Sequence, residues 1–238
     1  MQYSTYNIIL FNIIVILFNI AQANTAEDEF KKGYASFKQA NYSRAYRSWV
    51  TAANKGNVSA QYSMGILYER GLAVPKDPKQ AFFWYKKAAD QGNPSAQFKL
   101  GVFYYLGIGI QQNFGEAAVW ITSSAKQGYG MSQYGLGCLY YEGHGVPQNY
   151  QTALYWFRKA GKQKIVGALN NLGGMYAKGI GVTKNLVFAY AYFDLAVRAG
   201  DTKAQKYRIN MQQRLSSSRL LDAQILADSW ATGTHDLQ

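Results

Sequence analysis

The most constraining feature of this chain is a 36-residue period that recurs without insertion. Five columns fix its register. Gly65, Gly101, Gly137 and Gly173 form the first, and Tyr68, Tyr104, Tyr140 and Tyr176 the second. Gly71, Gly107, Gly143 and Gly179 form the third, and Ala81, Ala117, Ala153 and Ala189 the fourth. Trp84, Trp120, Trp156 and Tyr192 complete the set. A unit of this size cannot bury its apolar face alone, so stacked copies must share one core. Four units follow, at about 60–95, 96–131, 132–167 and 168–203.

Each unit reads as two helices. The second starts after Asp77-Pro78, where the carboxylate caps free N–H groups and proline fits the first turn. Asn113, Asn149 and Asn185 repeat that cap. Ala81, Trp84, Tyr85, Ala88 and Ala89 then lie on one helical face. Gly92, Gly128 and Gly200 end the helix with a residue that tolerates left-handed angles. Unit three has Lys164 there, which predicts an irregular last turn. The glycine at Gly65 and its equivalents costs each first helix about 1 kcal/mol relative to alanine. A cost repeated four times implies close approach of the neighbouring helix. Small residues at Ala60, Ala96, Ser132 and Ala168 fit that reading.

The flanks differ from the array, as terminal repeats must. Residues 24–59 read as a shorter helix pair, and residues 204–238 as capping helices and a tail. Ahead of them, Ile8 to Ile20 is an apolar run of 13 residues, too short for a span of about 20. Ala21-Gln22-Ala23 follows, a small-x-small site, so residues 1–23 read as a signal peptide cleaved after Ala23. No lysine or arginine precedes Lys31, which departs from that pattern and keeps an uncleaved anchor as the alternative. Export leads to the periplasm or beyond it, and the sequence does not choose. It argues against nucleic acid as a partner. The net charge of +12 lies wholly after residue 23 and favours anionic partners, among them acidic proteins, glycans and lipid headgroups. It could equally serve as a solvated surface. Cys138 is the only cysteine, so no internal disulfide is available.

At these residues the chain resembles a known family. The pattern A-Q-x-x-x-G-x-x-Y-x-x-G-x-G-V-P-x-(D/N), followed by A and W-(Y/F)-x-K-A, is similar to the Sel-one-like repeat (SLR), a longer relative of the tetratricopeptide repeat. Unit three carries Gly137, Tyr140, Gly143, Gly145, Val146, Pro147, Asn149, Ala153, Trp156, Phe157 and Lys159. Residues 26–57 look closer to an ordinary tetratricopeptide unit. The resemblance implies an all-α, right-handed α-solenoid of antiparallel helix pairs that acts as an adaptor for protein partners. It also implies, for exported bacterial members, roles in envelope assembly, control of cell-wall enzymes, or contact with host cells. One branch of the family carries a disulfide in each repeat, and this chain departs from it.

Chemistry is sparse. The Gly-x-Gly at 107–109 and 179–181 follows helices rather than strands and lacks the Lys-Ser/Thr of a phosphate loop. It reads as a repeat turn. His144 and His235 are the only histidines, and no cluster has metal spacing. Glu27, Asp28 and Glu29 suit a helix start. The reading is a non-enzyme that needs no cofactor and no metal.

Binding is expected on the first helices, which line the concave face of helix-pair solenoids. Four columns flank the fixed glycine and tyrosine. Tyr62, Phe98, Tyr134 and Asn170 form one, which fits core packing better than binding. Ile66, Val102, Cys138 and Gly174 form the next. Glu69, Tyr105, Tyr141 and Ala177 form the third. There Tyr105 and Tyr141 are read as binding residues, because a core position does not readily accept Glu69. Arg70, Leu106, Glu142 and Lys178 form the fourth, and the first pair adds Phe30, Tyr34 and Phe37.

Overall fold

The structure is a computed structural model. It describes residues 2–233, with side chains described from Ala23 onward and at Asn12, Val15 and Ile16. His235 and most side chains of the apolar leader lie outside the described residues. Among the described residues there are twelve helices and no strand. They form two compact units, Met1–Gln112 and Asn113–Gln238.

The first unit holds α1 (Gln2–Lys38), α2 (Tyr42–Asn54), α3 (Val58–Arg70), α4 (Pro78–Asp90) and α5 (Pro94–Leu106). The second holds α6 (Phe114–Lys126), α7 (Gly130–Glu142), α8 (Tyr150–Lys162), α9 (Val166–Lys178), α10 (Leu186–Arg198), α11 (Ala204–Gln213) and α12 (Ser217–Thr232). α1 is continuous through the expected cleavage site at Ala23. Among the described residues, no helix is long and apolar enough to cross a membrane.

Polar caps punctuate the array. Backbone N–H groups of Lys79 and Gln80 donate to Asp77, that of Glu116 to Asn113, that of Thr152 to Asn149, and those of Val187 and Phe188 to Asn185. The first helices start two residues before the alanine column. Asn57 accepts from Ala60 N–H and Asn93 from Ala96 N–H, both at 2.8 Å, so α3 and α5 begin at Val58 and Pro94. Lys164 corrects an expectation. The last turn of α8 is regular, with the same 13 residues as its counterparts, because Lys164 itself takes φ +59°. Gly56, Gly92, Gly128 and Gly200 hold that position elsewhere at φ +87° to +96°.

Four glycines of the first helices are sockets for rings. A Cβ on Gly65 would lie 2.4 Å from the ring of Tyr85, and one on Gly137 would lie 2.5 Å from Phe157. Gly173 meets Phe193 at 2.8 Å, and in the first pair Gly33 meets Trp49 at 2.3 Å. At these four glycines the neighbouring helix approaches closely, as the sequence implied, through one aromatic side chain, whereas the register gives Gly101 the aliphatic Ile121. Tyr85 and Phe157 are thereby completely buried.

The contact between one second helix and the next first helix is made of small residues. By register, Ala52 and Ala60, Ala88 and Ala96, Ala160 and Ala168, and Ala196 and Ala204 hold the facing positions of these seams, all fully buried. At the remaining seam both members change together. Ser124 and Ser132 are fully buried and their hydroxyls lie 2.6 Å apart. Removing the Ser124 hydroxyl takes away the acceptor to which Ser132 donates, at about 1–3 kcal/mol, whereas removing both is nearly neutral. Ser124→Ala is therefore expected to lower the denaturation midpoint clearly, and adding Ser132→Ala to recover most of the loss. Additive losses in the double variant would show that the pair is not coupled.

Candidate interaction surface

In the first unit, the expected binding residues separate by depth. Arg70 and Leu106, the last residues of α3 and α5, are exposed. Tyr105 and Phe98 are half-buried. Tyr62 is half-buried against Tyr85, with ring centroids 5.6 Å apart. Phe37 corrects its assignment to the groove. Its ring packs on Trp49 at 5.2 Å and on Tyr42 at 5.3 Å, so it joins α1 to α2. Tyr34, three residues earlier, is exposed, with the Lys38 ammonium 4.8 Å from its ring centroid.

Glu69 also corrects the argument drawn from it. It is half-buried, and its carboxylate accepts the Tyr85 hydroxyl at 2.5 Å and the Lys99 ammonium at 2.9 Å on both oxygens. Burial first, and Glu69 second, push the Tyr85 hydroxyl far above the usual tyrosine range. Glutamate is tolerated in this column because α4 and α5 supply its partners, so its presence does not mark the column as open. The case for Tyr105 and Tyr141 then rests on their partial exposure at the helix ends.

In the second unit, Glu142 and Lys178 end α7 and α9 and are exposed. The Glu142 carboxylate lies 3.1 Å from His144 Nδ1. His144 stacks on Phe114 at 4.7 Å, so the repeat turn occupies this histidine. Tyr141 is half-buried, edge-on to Tyr150 at 5.3 Å and tilted on Phe157 at 6.5 Å. Tyr134 lies over the backbone of Gly167 and against Phe157, a packing role for that column. Asn170 donates to Asp201 at 2.5 Å and ties α9 to the turn before α11. It is a structural bridge and not a presented amide. Burial raises the Tyr134 hydroxyl and the Cys138 thiol, to about 12 and about 11. Cys138 is therefore an unreactive thiol at neutral pH.

Each first helix thus ends with a half-buried residue followed by an exposed one: Glu69 and Arg70, Tyr105 and Leu106, Tyr141 and Glu142, Ala177 and Lys178. Such an edge offers aromatic area beside a side chain that changes from repeat to repeat. The second helices carry a further exposed column that sequence reasoning missed. Phe83 and Tyr155 project beside buried or half-buried Trp84 and Trp156. The ammonium groups of Lys87 and Lys159 lie 4.7 Å and 4.8 Å from the exposed rings. The 36-residue register contained this column, next to the tryptophans. Among the described residues, no group of three or more His, Cys, Asp or Glu side chains could hold a metal ion.

Comparison with known proteins agrees with this architecture. The Sel1 repeat model matches residues 58–93, 94–129, 130–164 and 166–201, the phase set by the Asn57 and Asn93 caps. A comparison with curated proteins finds no match. Among solved structures, the chain is similar to a protective antigen of uropathogenic Escherichia coli displaying an SLR fold. That likeness has 30% identity and a TM-score of 0.80, over 86% of this chain and 45% of that one. The chain thus spans about half the length of that antigen. It is also similar to a Sel1 repeat protein from Oxalobacter formigenes, with 30% identity, a TM-score of 0.73 and 83% of each chain covered. With four matched repeats over more than half of its length, the chain belongs to the Sel1 repeat family, whose members generally mediate protein–protein interaction.

Proposed function

We propose that this protein is an exported, non-enzymatic adaptor that holds a segment of a protein partner against the edges of its first helices. The observation that carries the reading is the repeated edge itself, half-buried tyrosine beside an exposed, variable residue at Tyr105–Leu106 and Tyr141–Glu142. Tyrosine there contributes apolar area and a hydroxyl at small entropic cost. The net charge of +12 supports an acidic partner segment. The apolar run before Ala21-Gln22-Ala23 supports export and cleavage.

The test is crosslinking capture from the producing cell, with full-length chain carried by its own leader. Tyr105→Ser, Tyr141→Ser and the double variant serve as parallel baits, and each captured protein is then titrated as a purified species. Loss of a hot-spot tyrosine costs about 1–2 kcal/mol, so the expected result is a dissociation constant raised about five- to thirtyfold per edge used. Equal affinity for the wild type and the folded double variant would remove the edge assignment. Affinity that collapses with added salt but ignores the tyrosines would make charge, and not aromatic packing, the basis of binding.

A further inference from the structure

The exposed side of the second helices carries a clamp that occurs twice, once in each unit. On α4 the exposed ring of Phe83 stands edge-on to Trp84 at 5.2 Å. The Lys87 ammonium lies 4.7 Å from the Phe83 centroid and 5.2 Å from that of Trp84. On α8, Tyr155, Trp156 and Lys159 repeat this arrangement at 5.1, 4.8 and 5.3 Å. Ring and lysine are four residues apart, so they share one helix face. The register shows them kept or lost together. The repeat between the two clamps has Val119 and Ser123 at these positions, and the last repeat has Ala191 and Leu195. Among the described residues, no carboxylate pairs with Lys87 or Lys159. Asp90, one turn beyond Lys87, is held by Lys86 at 2.8 Å. Around Lys159 the sequence itself is free of acids, since residues 143–193 contain six Lys and Arg and no Asp or Glu. Lys162 is already engaged and is not part of the clamp.

We propose that each clamp binds an acidic polypeptide segment, with a carboxylate on the ammonium and a neighbouring apolar side chain against the exposed ring. The rings attract the ammonium as a charge, so its three N–H donors are left for a carboxylate. Two rings also hold the lysine in place, which lowers the entropy lost on binding. The same placement argues against a sugar, because the ammonium already covers a face on which it would stack. Phe83 and Tyr155 stand singly, one per helix, whereas lying in a bilayer surface takes a continuous apolar face. The clamps are on other helices than the edges proposed for the first partner, so one chain can join two partners.

The probes are a fluorescent nonapeptide of three Glu-Glu-Leu units and its Gln-Gln-Leu counterpart, titrated into the full chain at low salt. Two acidic peptides are expected per chain, bound about tenfold tighter than the glutamine peptide. Phe83→Ala/Lys87→Gln and Tyr155→Ala/Lys159→Gln are each expected to leave one peptide per chain. The four substitutions together are expected to weaken binding at least about tenfold, with helicity by circular dichroism retained because all four side chains are exposed. Lys76→Gln/Lys184→Gln removes the same charge from exposed positions of the same two units and is expected to keep both sites. No saturable binding, equal affinity for the two peptides, an undiminished fourfold variant, or an equal loss in the Lys76/Lys184 control would each overturn the proposal. So would loss of the peptide by Tyr105→Ser/Tyr141→Ser, which would place it on the first helices, or a preference for phosphatidylglycerol vesicles, which would make the face a membrane surface.

Discussion

Gly145→Ala is expected to destabilise the second unit by about 2–5 kcal/mol, from left-handed strain of about 1–2 and overpacking of about 1–3. Gly145 has φ +72°, and an added Cβ would lie 2.0 Å from the carbonyl oxygen of Phe114 and 2.5 Å from its carbonyl carbon. Those are main-chain atoms at the start of α6, so no rotamer change relieves the overlap. The same position in the next repeat, Gly181, meets the backbone and Cβ of Tyr150 at the start of α8. The second glycine of each Gly-x-Gly is thus where a repeat turn lies on the helix start of the repeat before it. Gly128→Ala is the control, since Gly128 has φ +90° and no atom within 4 Å of an added Cβ. It should lose about 1–2 kcal/mol, the conformational term alone. Urea titration followed by tryptophan fluorescence reads both variants. Equal losses at the two positions would mean that the Phe114 contact is not what Gly145 serves.

Phe157→Ala should cost about 3–5 kcal/mol, the usual loss for deleting a fully buried ring. Phe157 is completely buried, fills the socket at Gly137 and touches both Tyr134 and Tyr141. The informative comparison is with Gly137→Ala. In the wild type that methyl group runs into the ring at 2.5 Å and is expected to destabilise by about 1–3 kcal/mol. In the Phe157→Ala background the ring is gone, and the methyl group should stabilise by up to about 1 kcal/mol through helix propensity and partial filling. A change of sign between the two backgrounds identifies ring and glycine as one packing unit. The same sign in both would confine the role of Gly137 to backbone conformation. Because Tyr141 leans on Phe157, weakened partner binding by folded Phe157→Leu would follow as well.

The periodic part of the fold was legible because each helix obeys local rules that are repeated four times. Asp77, Asn113, Asn149 and Asn185 announced the second helices, and they cap them. Asn57 and Asn93 gave the same signal for the first helices, yet the alanine column drew the boundary two residues late. What the register could not show is which groups from other elements meet a given side chain. Glu69 finds Tyr85 and Lys99 at separations of 16 and 30 residues, and those partners reverse the meaning of a carboxylate in that column. Asp194 is buried with Arg198 and Arg208 around it, a cluster outside the repeat pattern altogether. Of the candidate surface, the exposed ends Arg70, Glu142 and Lys178 follow from position on the helix. Phe37 and Asn170 do not, because their partners Trp49 and Asp201 come from adjoining segments.

The hydroxyl pair of Ser124 and Ser132 has a consequence for how such chains can be rearranged. The two serines sit in different matched repeats, one closing the second and one opening the third. Every other seam of this kind joins two alanines. Deleting the third repeat, or inserting a copy of the first between them, would set a buried hydroxyl against a methyl group on at least one side. The repeats share a backbone but are not interchangeable parts. A matched polar pair at one joint works as an address, making one order of the units cheaper to fold than its permutations.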